Sequence, residues 1–407
     1  MPLVGWHIAN AVRQVADVHV VTQVRNQPAF ERAGLVEDVD FTVIDTEALA
    51  GPMYKFANAI RGGQGKGWTT LTAIQSLTYF YFERLVWKRF KAQIEAGEYD
   101  IVHRVTPLSP TAPSSLAKKC AKVGTPFILG PLNGGLPWPT GFDGARRKEK
   151  EWLSYVRTLY KFMPGVRSTY RAATAIIVAS RHTQSELTKA HADKLVYIPE
   201  NGIDGDQFQP EERQSVAGVL KLCFIGRLVP YKCPDVALES AAALLRDGRA
   251  TFDMVGDGPI MDELKALSVR LGIEHAVTFH GWLTHEDVAK VAAQSSIFVF
   301  PSVREFGGGV ALEAMGMVPI VVDYGGAGEI VTSQTGFSIA MGDRAALLSA
   351  YTQKLDAIAG GRYDIAAMSK RGLERVAALY FWNEKAKQIL SVYDWVLSKT
   401  KHKPEFF

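Results

Sequence analysis

Short runs of β-branched and aromatic residues alternate with longer amphipathic stretches along most of this 407-residue chain. The alternation is typical of parallel strands joined by helices, because a parallel pair needs a long crossover connection. Predicted strands of the first series lie at 18–22, 100–103, 126–129, 175–179 and 194–198. Those of the second series lie at 221–225, 251–255, 277–279, 297–300 and 319–322. The pattern predicts an α/β fold with two Rossmann-like units.

The length of the chain agrees with two domains, because one hydrophobic core rarely organises more than about 250–300 residues. We place an amino-terminal domain at residues 1–200 and a carboxy-terminal domain at 216–379, with a polar stretch between them. A final amphipathic helix within 380–407 is expected to cross between the domains. The chain opens with a helical pattern where a doubly wound unit opens with its central strand. We therefore expect the first domain to lack a strand, or the true start to lie upstream of Met1.

The composition of the chain excludes several classes of protein. A formal net charge of +4 is too small to indicate a nucleic-acid-binding protein. Three scattered cysteines predict neither a disulfide framework nor a zinc site. No run approaches the roughly 18 apolar residues of a membrane span, and no signal-peptide pattern opens the chain. The expectation is a cytoplasmic protein.

One segment, residues 78–91, is rich in both aromatic and basic residues. As a helix it either buries its aromatic face in the first domain or lies on the inner face of a membrane that carries a lipid-linked acceptor. The sequence leaves this peripheral membrane contact as an alternative. Two Asp-x-Asp triplets, at 38–40 and 204–206, have the form of a metal-binding motif but lack its context.

A glycine-rich segment follows the predicted strand at 297–300, and its glycines are Gly307, Gly308 and Gly309. Such a turn lets a diphosphate approach the backbone, and a helix predicted to start near Val310 would offer free amide groups to it. Glu305 and Glu313 flank the turn, and a carboxylate can accept two hydrogen bonds from a vicinal diol. The segment therefore predicts a site for a sugar-bearing diphosphate. An ordinary loop with a solvated glutamate is the alternative.

A basic pair, Arg227 and Lys232, follows another predicted strand, at 221–225. Two cations on a strand-to-helix loop can hold a diphosphate leaving group without a metal ion, because they stabilise the charge that develops as the bond breaks. The alternative is a solvated basic loop. Together with the glycine-rich segment, the pair predicts one diphosphate site.

The carboxy-terminal half resembles the family 4 glycosyltransferases, which are retaining, group 1 type enzymes with the two-domain GT-B fold. The resemblance rests on the glutamate pair, the basic pair and further motifs in the expected order, at residues 201–204, 255–259, 280–283 and 319–322. Together these motifs span about half of the chain. The resemblance implies two domains that face each other across a cleft, with a nucleotide sugar between them.

The same resemblance implies a role for each residue of the predicted site. Arg227 and Lys232 would bind the donor diphosphate, and Glu313 would bind ribose. Glu305, with the backbone of residues 307–309, would bind the sugar and its phosphate. Glu305 and the basic pair are therefore our predicted catalytic residues, to which His103 is added below.

Other residues complete the predicted donor site. The resemblance implies that Trp282 and Leu283 lie against the base, although Trp282 also fits a core aromatic residue. Gly226 and Val310 belong to the same predicted set. Cys233 stands where related enzymes often have glycine, and we interpret it as a packing variant.

The amino-terminal half resembles the family less specifically. Many family members carry a sugar-contacting histidine at the position of Val105, so that contact is absent here or supplied by His103 or Arg104. His103 also fits a structural histidine. A plausible acceptor or phosphate loop, which a plain turn would equally explain, consists of Asn133, Gly134 and Gly135.

The expected reaction moves a sugar from a nucleotide-diphosphate sugar to a hydroxyl of a glycan, a lipid-linked or a small-molecule acceptor, with no cofactor and no divalent metal. The family suggests polysaccharide biosynthesis. Two alternatives stay open: a nucleotide-sugar epimerase of the same fold, and a donor-binding protein without turnover. No nucleic-acid partner is expected.

Overall fold

The computed structural model of the protein describes residues 3–48, 51, 68–134, 136–142, 165–205 and 218–407. Strands and helices alternate through these ranges. The strands before residue 205 are β1 (Val20–Gln23), β2 (Phe41–Ile44), β3 (Val102–Arg104), β4 (Phe127–Leu132), β5 (Ala175–Val178) and β6 (Leu195–Tyr197). The helices there are α1 (Leu3–Val12), α2 (Gln27–Arg32), α3 (Trp68–Ala96), α4 (Ser115–Val123), α5 (Val166–Ala172) and α6 (Arg181–His191).

The second series starts after residue 218. Its strands are β7 (Leu220–Ile225), β8 (Ala250–Val255), β9 (Val277–Gly281), β10 (Ile297–Phe300), β11 (Val318–Val322) and β12 (Phe337–Ile339). Its first helices are α7 (Pro234–Arg246), α8 (Met261–Leu271), α9 (His285–Gln294), α10 (Gly309–Glu313) and α11 (Gly326–Ile330). The helices that end the chain are α12 (Arg344–Ala359), α13 (Ile365–Leu379) and α14 (Trp382–Val396).

The strands of the first domain form two separate parallel sheets. β1 pairs with β2, and a four-stranded sheet has the order β3-β4-β5-β6. The strands of the larger sheet are almost wholly buried, as expected for a parallel sheet with helices on both faces. α1 precedes every strand in the chain, in agreement with the expected helical opening.

The second domain contains one six-stranded parallel sheet with the order β12-β11-β10-β7-β8-β9. Its strands β10 and β11 are completely buried, and β10 reads Ile-Phe-Val-Phe, an apolar run typical of a doubly covered sheet. Helices on both sides complete the domain. One residue from the first part of the chain, Phe142, is buried in this core.

The last helix, α14, crosses back to the first domain. It packs on α1, and Ile389 and Val392 share a core cluster with Ile8, Val12 and residues of the first-domain sheet. Residues of the final segment, such as Phe407, contact Tyr197 and Tyr380. The predicted α/β GT-B architecture with a crossing helix is therefore confirmed.

Candidate active site

Both halves of the predicted diphosphate site lie at the carboxyl ends of neighbouring strands. β7 and β10 pair in parallel, and the strand order of the six-stranded sheet reverses between them. Ligands of doubly wound folds bind in the crevice that opens at such a reversal, beyond the carboxyl ends of the strands. Lys232 follows β7, and the glycine loop, residues 305–309, follows β10. The topology therefore brings these two segments to one crevice.

The structure joins a predicted cation directly to a predicted sugar-binding carboxylate. Lys232 Nζ lies 2.8 Å from Glu305 Oε2, and the two side chains are 12% and 21% exposed. The same ammonium lies 4.8 Å from the centre of the Phe300 ring, a favourable cation–π arrangement. Partial burial limits solvent screening of the ion pair. Lys232 and Glu305 thus form a unit at the switch point of the sheet.

Gly226 and Arg227 form the turn that leads from β7 into the basic loop. Gly226 has a φ of +148°, which favours glycine, and a β-carbon added there would lie 3.4 Å from Lys232 Cδ. The Arg227 side chain is exposed and forms no ion pair with any residue that the structure describes. An exposed guanidinium near the lysine is available to bind an anionic ligand bidentately.

Cys233 has a backbone conformation that favours glycine. Cys233 has a φ of +49° and lies in the left-handed region. Glycine adopts this region readily, whereas a residue with a β-carbon is strained there. The thiol is buried, donates to the carbonyl oxygen of Pro230 at 3.4 Å, and has a pKa raised by burial. These contacts support its interpretation as a packing variant.

The glycine loop makes backbone contacts that a larger residue would block. Gly308 has a φ of +66°, and a β-carbon added there would lie 2.6 Å from the carbonyl carbon of Gly326. Among the described residues, the amides of Gly308, Gly309 and Val310 donate to no backbone carbonyl. These amides lie in the segment that begins with Glu305, the partner of Lys232, and such free amides can bind a phosphate.

The helix after the glycine loop is short. α10 begins at Gly309 and has five residues, so Glu313 is its last residue. A helix of about one and a half turns has a small dipole, and anion binding there must rely on the loop amides and the side-chain cations. The expected help from a positive helix end is therefore weaker than the sequence predicted.

Glu313 is exposed, yet the protein around it partly desolvates its carboxyl group. That desolvation raises the pKa of Glu313, and the nearby charge of His285 opposes the shift. His285 begins α9, directly after the loop that carries Trp282 and Leu283. The side chain of Glu313 thus lies near the predicted base-binding loop, where it could accept hydrogen bonds from a ribose diol.

Trp282 is not a core residue. Its exposed fraction is 80%, so the alternative of a buried structural aromatic is wrong. Leu283 is half-buried and packs against the core of the second domain. Both follow β9, which ends at Gly281. The contact of Trp282 with a base stays a prediction.

The predicted acceptor loop contacts the second domain. Asn133 Nδ2 donates to the carbonyl oxygen of Phe306 at 3.1 Å, which places this amide on the glycine loop. Gly134 has a φ of +144°, and its carbonyl oxygen accepts from Thr183 Oγ1. Gly135 lies outside the described residues. The part of the loop that the structure describes is therefore at the junction of the two domains.

Two further residues of this junction are Glu200, which the sequence prediction did not include, and Asn201, which it placed only in the motif at 201–204. A β-carbon added to Gly307 would lie 2.3 Å from Asn201 Nδ2 and 2.6 Å from Glu200 Oε1. Both side chains therefore touch the glycine loop from the first-domain side. The available signal was their position as polar residues just after the strand β6, at the carboxyl edge of the sheet.

His103 is engaged within the first domain and with α14. Its Nδ1 lies 2.7 Å from the Tyr393 hydroxyl and its Nε2 lies 2.8 Å from the carbonyl oxygen of Gly130. Burial lowers the pKa of His103 to about 4, so the ring is neutral near pH 7. Arg104 is buried and donates to the carbonyl oxygen of Ala112. Both contacts favour the structural alternative over a catalytic role.

The acidic residues of the first Asp-x-Asp triplet are engaged with basic side chains. Asp40 pairs with Arg13 at 2.6 Å, and Asp38 lies 3.6 Å from Arg89. Asp206, of the second triplet, lies outside the described residues. Within the described ranges, His, Cys, Asp and Glu form no cluster of three or more that could hold a metal ion.

The aromatic and basic segment lies within α3. Its apolar residues Val86, Phe90 and Ile94 are buried in the first-domain core, while Lys88 and Arg89 are exposed. This arrangement favours the burial alternative over a membrane-facing aromatic surface. In the part of the chain that is described, no helix combines the length and apolarity needed to span a bilayer.

Comparison with known proteins shows which family these features match. Residues 206–356 match the family model described as glycosyl transferases group 1. The D-inositol 3-phosphate glycosyltransferase of Nocardia farcinica is 29% identical over 229 residues, which are 52% of this chain and 50% of that protein. The chain spans about half the length of this curated relative.

Solved structures extend the likeness to the whole fold. The structure of HepE from Anabaena in complex with UDP has a TM-score of 0.61 and 17% identity, and covers 98% of this chain and 96% of that chain. A glycosyltransferase from Rickettsia africae has a TM-score of 0.57 and 16% identity, with 94% and 99% covered. At such identities the likeness establishes the GT-B fold alone.

Proposed function

We propose that this chain, whose residues 206–356 match the family model of glycosyl transferases group 1, transfers a sugar from a nucleotide-diphosphate sugar to an acceptor hydroxyl with retention of configuration. The single observation that carries the proposal is the Lys232–Glu305 pair at the switch point of the second sheet. In this pair, a cation that would bind the diphosphate is hydrogen-bonded to a carboxylate that would bind the sugar.

In the proposed reaction the bond from the anomeric carbon to the diphosphate oxygen breaks, and a bond to the acceptor oxygen forms on the same face. The acceptor hydroxyl gives its proton to the departing diphosphate. Lys232, Arg227 and the unpaired amides of the glycine loop stabilise the negative charge that develops on the leaving group. We assign no metal ion to this step, since the two cations and the amides supply positive charge where it is needed.

Positioning supplies the remaining part of the proposed mechanism. Glu313 would bind the ribose, and Glu305 would bind hydroxyls of the transferred sugar while it keeps Lys232 in place. The first domain would present the acceptor next to Asn133, whose amide already contacts the glycine loop. Contact between the domains would exclude water and so limit hydrolysis of the donor.

The proposed donor is a uridine-diphosphate sugar, since a protein with this fold, HepE from Anabaena, has been solved with UDP. The proposed acceptor is a glycan or a lipid-linked glycan, as the family suggests. A peripheral contact with an anionic membrane surface is compatible with a lipid-linked acceptor, and co-sedimentation with anionic liposomes at low salt would test it.

A thermal-shift screen tests the function. We expect UDP or a UDP-sugar to raise the Tm of the wild-type protein. GDP, ADP and their sugars are screened in the same way for comparison. Arg227→Ala and Glu313→Ala should abolish the shift, because they remove the free cation and the ribose acceptor. Lys221→Ala and Glu374→Ala, at exposed positions away from the crevice, should keep it.

Transfer itself is then measured with the donor that binds. Donor alone should stay unchanged, apart from slow hydrolysis, and product should form only with an acceptor and with the original anomeric configuration. Conversion of the donor without an acceptor would indicate an epimerase, and inverted configuration would contradict retention. A failure of every nucleotide to bind would overturn the proposal.

A further inference from the structure

A buried carboxyl group lies where the link between the domains, the glycine loop and the crossing helix meet. Glu200 follows the strand β6, and its Oε1 would be 2.6 Å from a β-carbon on Gly307. The side-chain amide of Asn133 hydrogen-bonds to this carboxyl group and also donates to the carbonyl oxygen of Phe306. Glu200 is therefore in direct contact with the loop that we propose binds the diphosphate.

The second carboxyl oxygen of Glu200 is buried and has no hydrogen-bond partner among the described residues. An ionised carboxylate in such a place is costly, because it loses the solvation that water would give it. Burial raises the pKa of Glu200 to about 7, against the opposing effects of the Asn133 hydrogen bond and the Lys385 charge. The group can therefore gain or lose a proton near neutral pH.

Lys385, on α14, is the charged residue that acts on Glu200 from the crossing helix. It is 2% exposed, and its Nζ donates to the carbonyl oxygen of Pro199 at 2.6 Å. Burial lowers the pKa of Lys385, and the charge of Glu200 opposes that shift. On the side of the glycine loop, Glu305 lies two residues before Gly307 in the sequence, and it is paired with Lys232 at 2.8 Å. Asn133, from the loop after β4, is neutral.

We propose that Glu200 is a positioning residue of the donor site that takes up a proton when a nucleoside diphosphate binds to the glycine loop. A diphosphate brings at least two negative charges to a loop that Glu200 touches, and like charges in a poorly solvated place repel strongly. Protonation of Glu200 removes this repulsion and lets the group support the loop as a neutral hydrogen-bonding partner. The inference rests on the proposed function.

The test is the affinity for the nucleoside diphosphate, with UDP as the first probe, measured by calorimetry from pH 6 to pH 8. Between pH 6 and pH 8, wild-type affinity should fall about fivefold more than that of Glu200→Gln, if binding raises the pKa of Glu200 by one unit from about 7. The nucleotide's own ionisation is common to both proteins, so the difference isolates Glu200.

A matched control is Glu329→Gln. Glu329 is another glutamate at the domain junction, and its hydrogen bonds among the described residues are with the Arg181 amide and the Tyr197 hydroxyl, not with the glycine loop. This variant should keep the wild-type pH dependence even if its affinity is lower. Asn133→Ala should move the midpoint of the dependence to higher pH, because it removes the hydrogen bond that lowers the pKa of Glu200.

Equal pH dependence in wild type and Glu200→Gln would show a merely structural glutamate and overturn the inference, while the proposed function would stand. If Glu200→Gln fails to fold, the pH dependence of UDP affinity in Asn133→Ala decides. A midpoint at higher pH than in the wild type supports the inference, and an unchanged midpoint overturns it. If UDP, GDP and ADP all fail to bind the wild-type protein, the proposed function is overturned, and this inference with it.

Discussion

The ammonium group of Lys232 is held by Glu305 on one side and by the Phe300 ring on the other. Lys232→Met would keep much of the side-chain volume and remove the charge. We expect nucleoside diphosphate affinity to fall at least about tenfold, or roughly 1.4 kcal/mol, because a charge-assisted hydrogen bond is lost. Calorimetry checks this, with the exposed Lys221→Met as control. Unchanged affinity would contradict a role for Lys232 in anion binding.

Neighbouring glycines of the loop should respond very differently to alanine. In Gly308→Ala the new β-carbon meets the backbone of Gly326 and takes a left-handed φ, so we expect stability to fall by at least about 2 kcal/mol. In Gly309→Ala the nearest atom is 3.4 Å away, at the end of the Asn201 side chain, which can yield. Thermal unfolding compares the two variants. Similar Tm values would contradict the described loop geometry.

Local spacing in the sequence was enough to predict some residues of the site, but not those that the tertiary fold brings together. Glu305 and Lys232 were predictable because each lies in a loop directly after an apolar strand. The contact of Glu200 with Gly307 joins residues more than a hundred positions apart, and no local pattern encodes it. For His103 the local position was misleading. Its place at the end of a strand predicted a side chain in the cleft, but its ring contacts the Tyr393 hydroxyl and the carbonyl oxygen of Gly130.

Among the elements, the pairing of β3 with α14 through His103 predicts an acid-sensitive contact. Burial lowers the pKa of His103 to about 4, well below the value near 6.5 expected in the unfolded chain. The unfolded state therefore binds the proton first, and stability is lost as pH falls from about 6.5 towards 4. The loss could reach about 3 kcal/mol, reduced by the partial exposure of the ring.

Denaturant unfolding between pH 7 and pH 4 measures this effect. His103→Gln should be less stable than wild type at pH 7, because its hydrogen bonds are altered, and should lose less stability on acidification. The exposed His275→Gln should follow the wild-type curve. An acid loss in His103→Gln as large as that of wild type would contradict the assignment.

Some strands and helices are easier to predict from the sequence than others. The strands at 297–300 and 221–225 were found nearly to the residue, because fully buried parallel strands leave unbroken apolar runs. β12 was not among the predicted strands. α10 begins at Gly309, one residue before its predicted start near Val310, and ends at Glu313.

In the whole molecule, the two domains are joined by hydrogen bonds besides those of the glycine loop. Glu329 on α11 accepts from the Arg181 amide at 2.9 Å and from the Tyr197 hydroxyl at 2.8 Å. Tyr324 donates to the carbonyl oxygen of Pro137 at 2.8 Å. These contacts, with α14, hold the first domain against the crevice of the second.

Removal of these three hydrogen bonds should separate donor binding from transfer. In Glu329→Ala with Tyr324→Phe we expect kcat to fall about tenfold or more, because the acceptor domain is held less firmly, at a cost of about 1.4 kcal/mol or more in the transition state. Donor affinity should change less than kcat, since the proposed phosphate contacts lie mainly in the second domain. Equal losses in both quantities would contradict this division of roles.

The Lys232–Glu305 ion pair has a consequence for how quickly and how tightly an anion can be captured. A lysine side chain in water samples many rotamers, and fixing it on a ligand usually costs about 1.5–2 kcal/mol of conformational entropy. Here Glu305 and the Phe300 ring restrict that side chain already in the folded protein. Most of the ordering has therefore taken place before association, and the site is preorganised: an incoming phosphate meets a stationary charge, not a flexible tether.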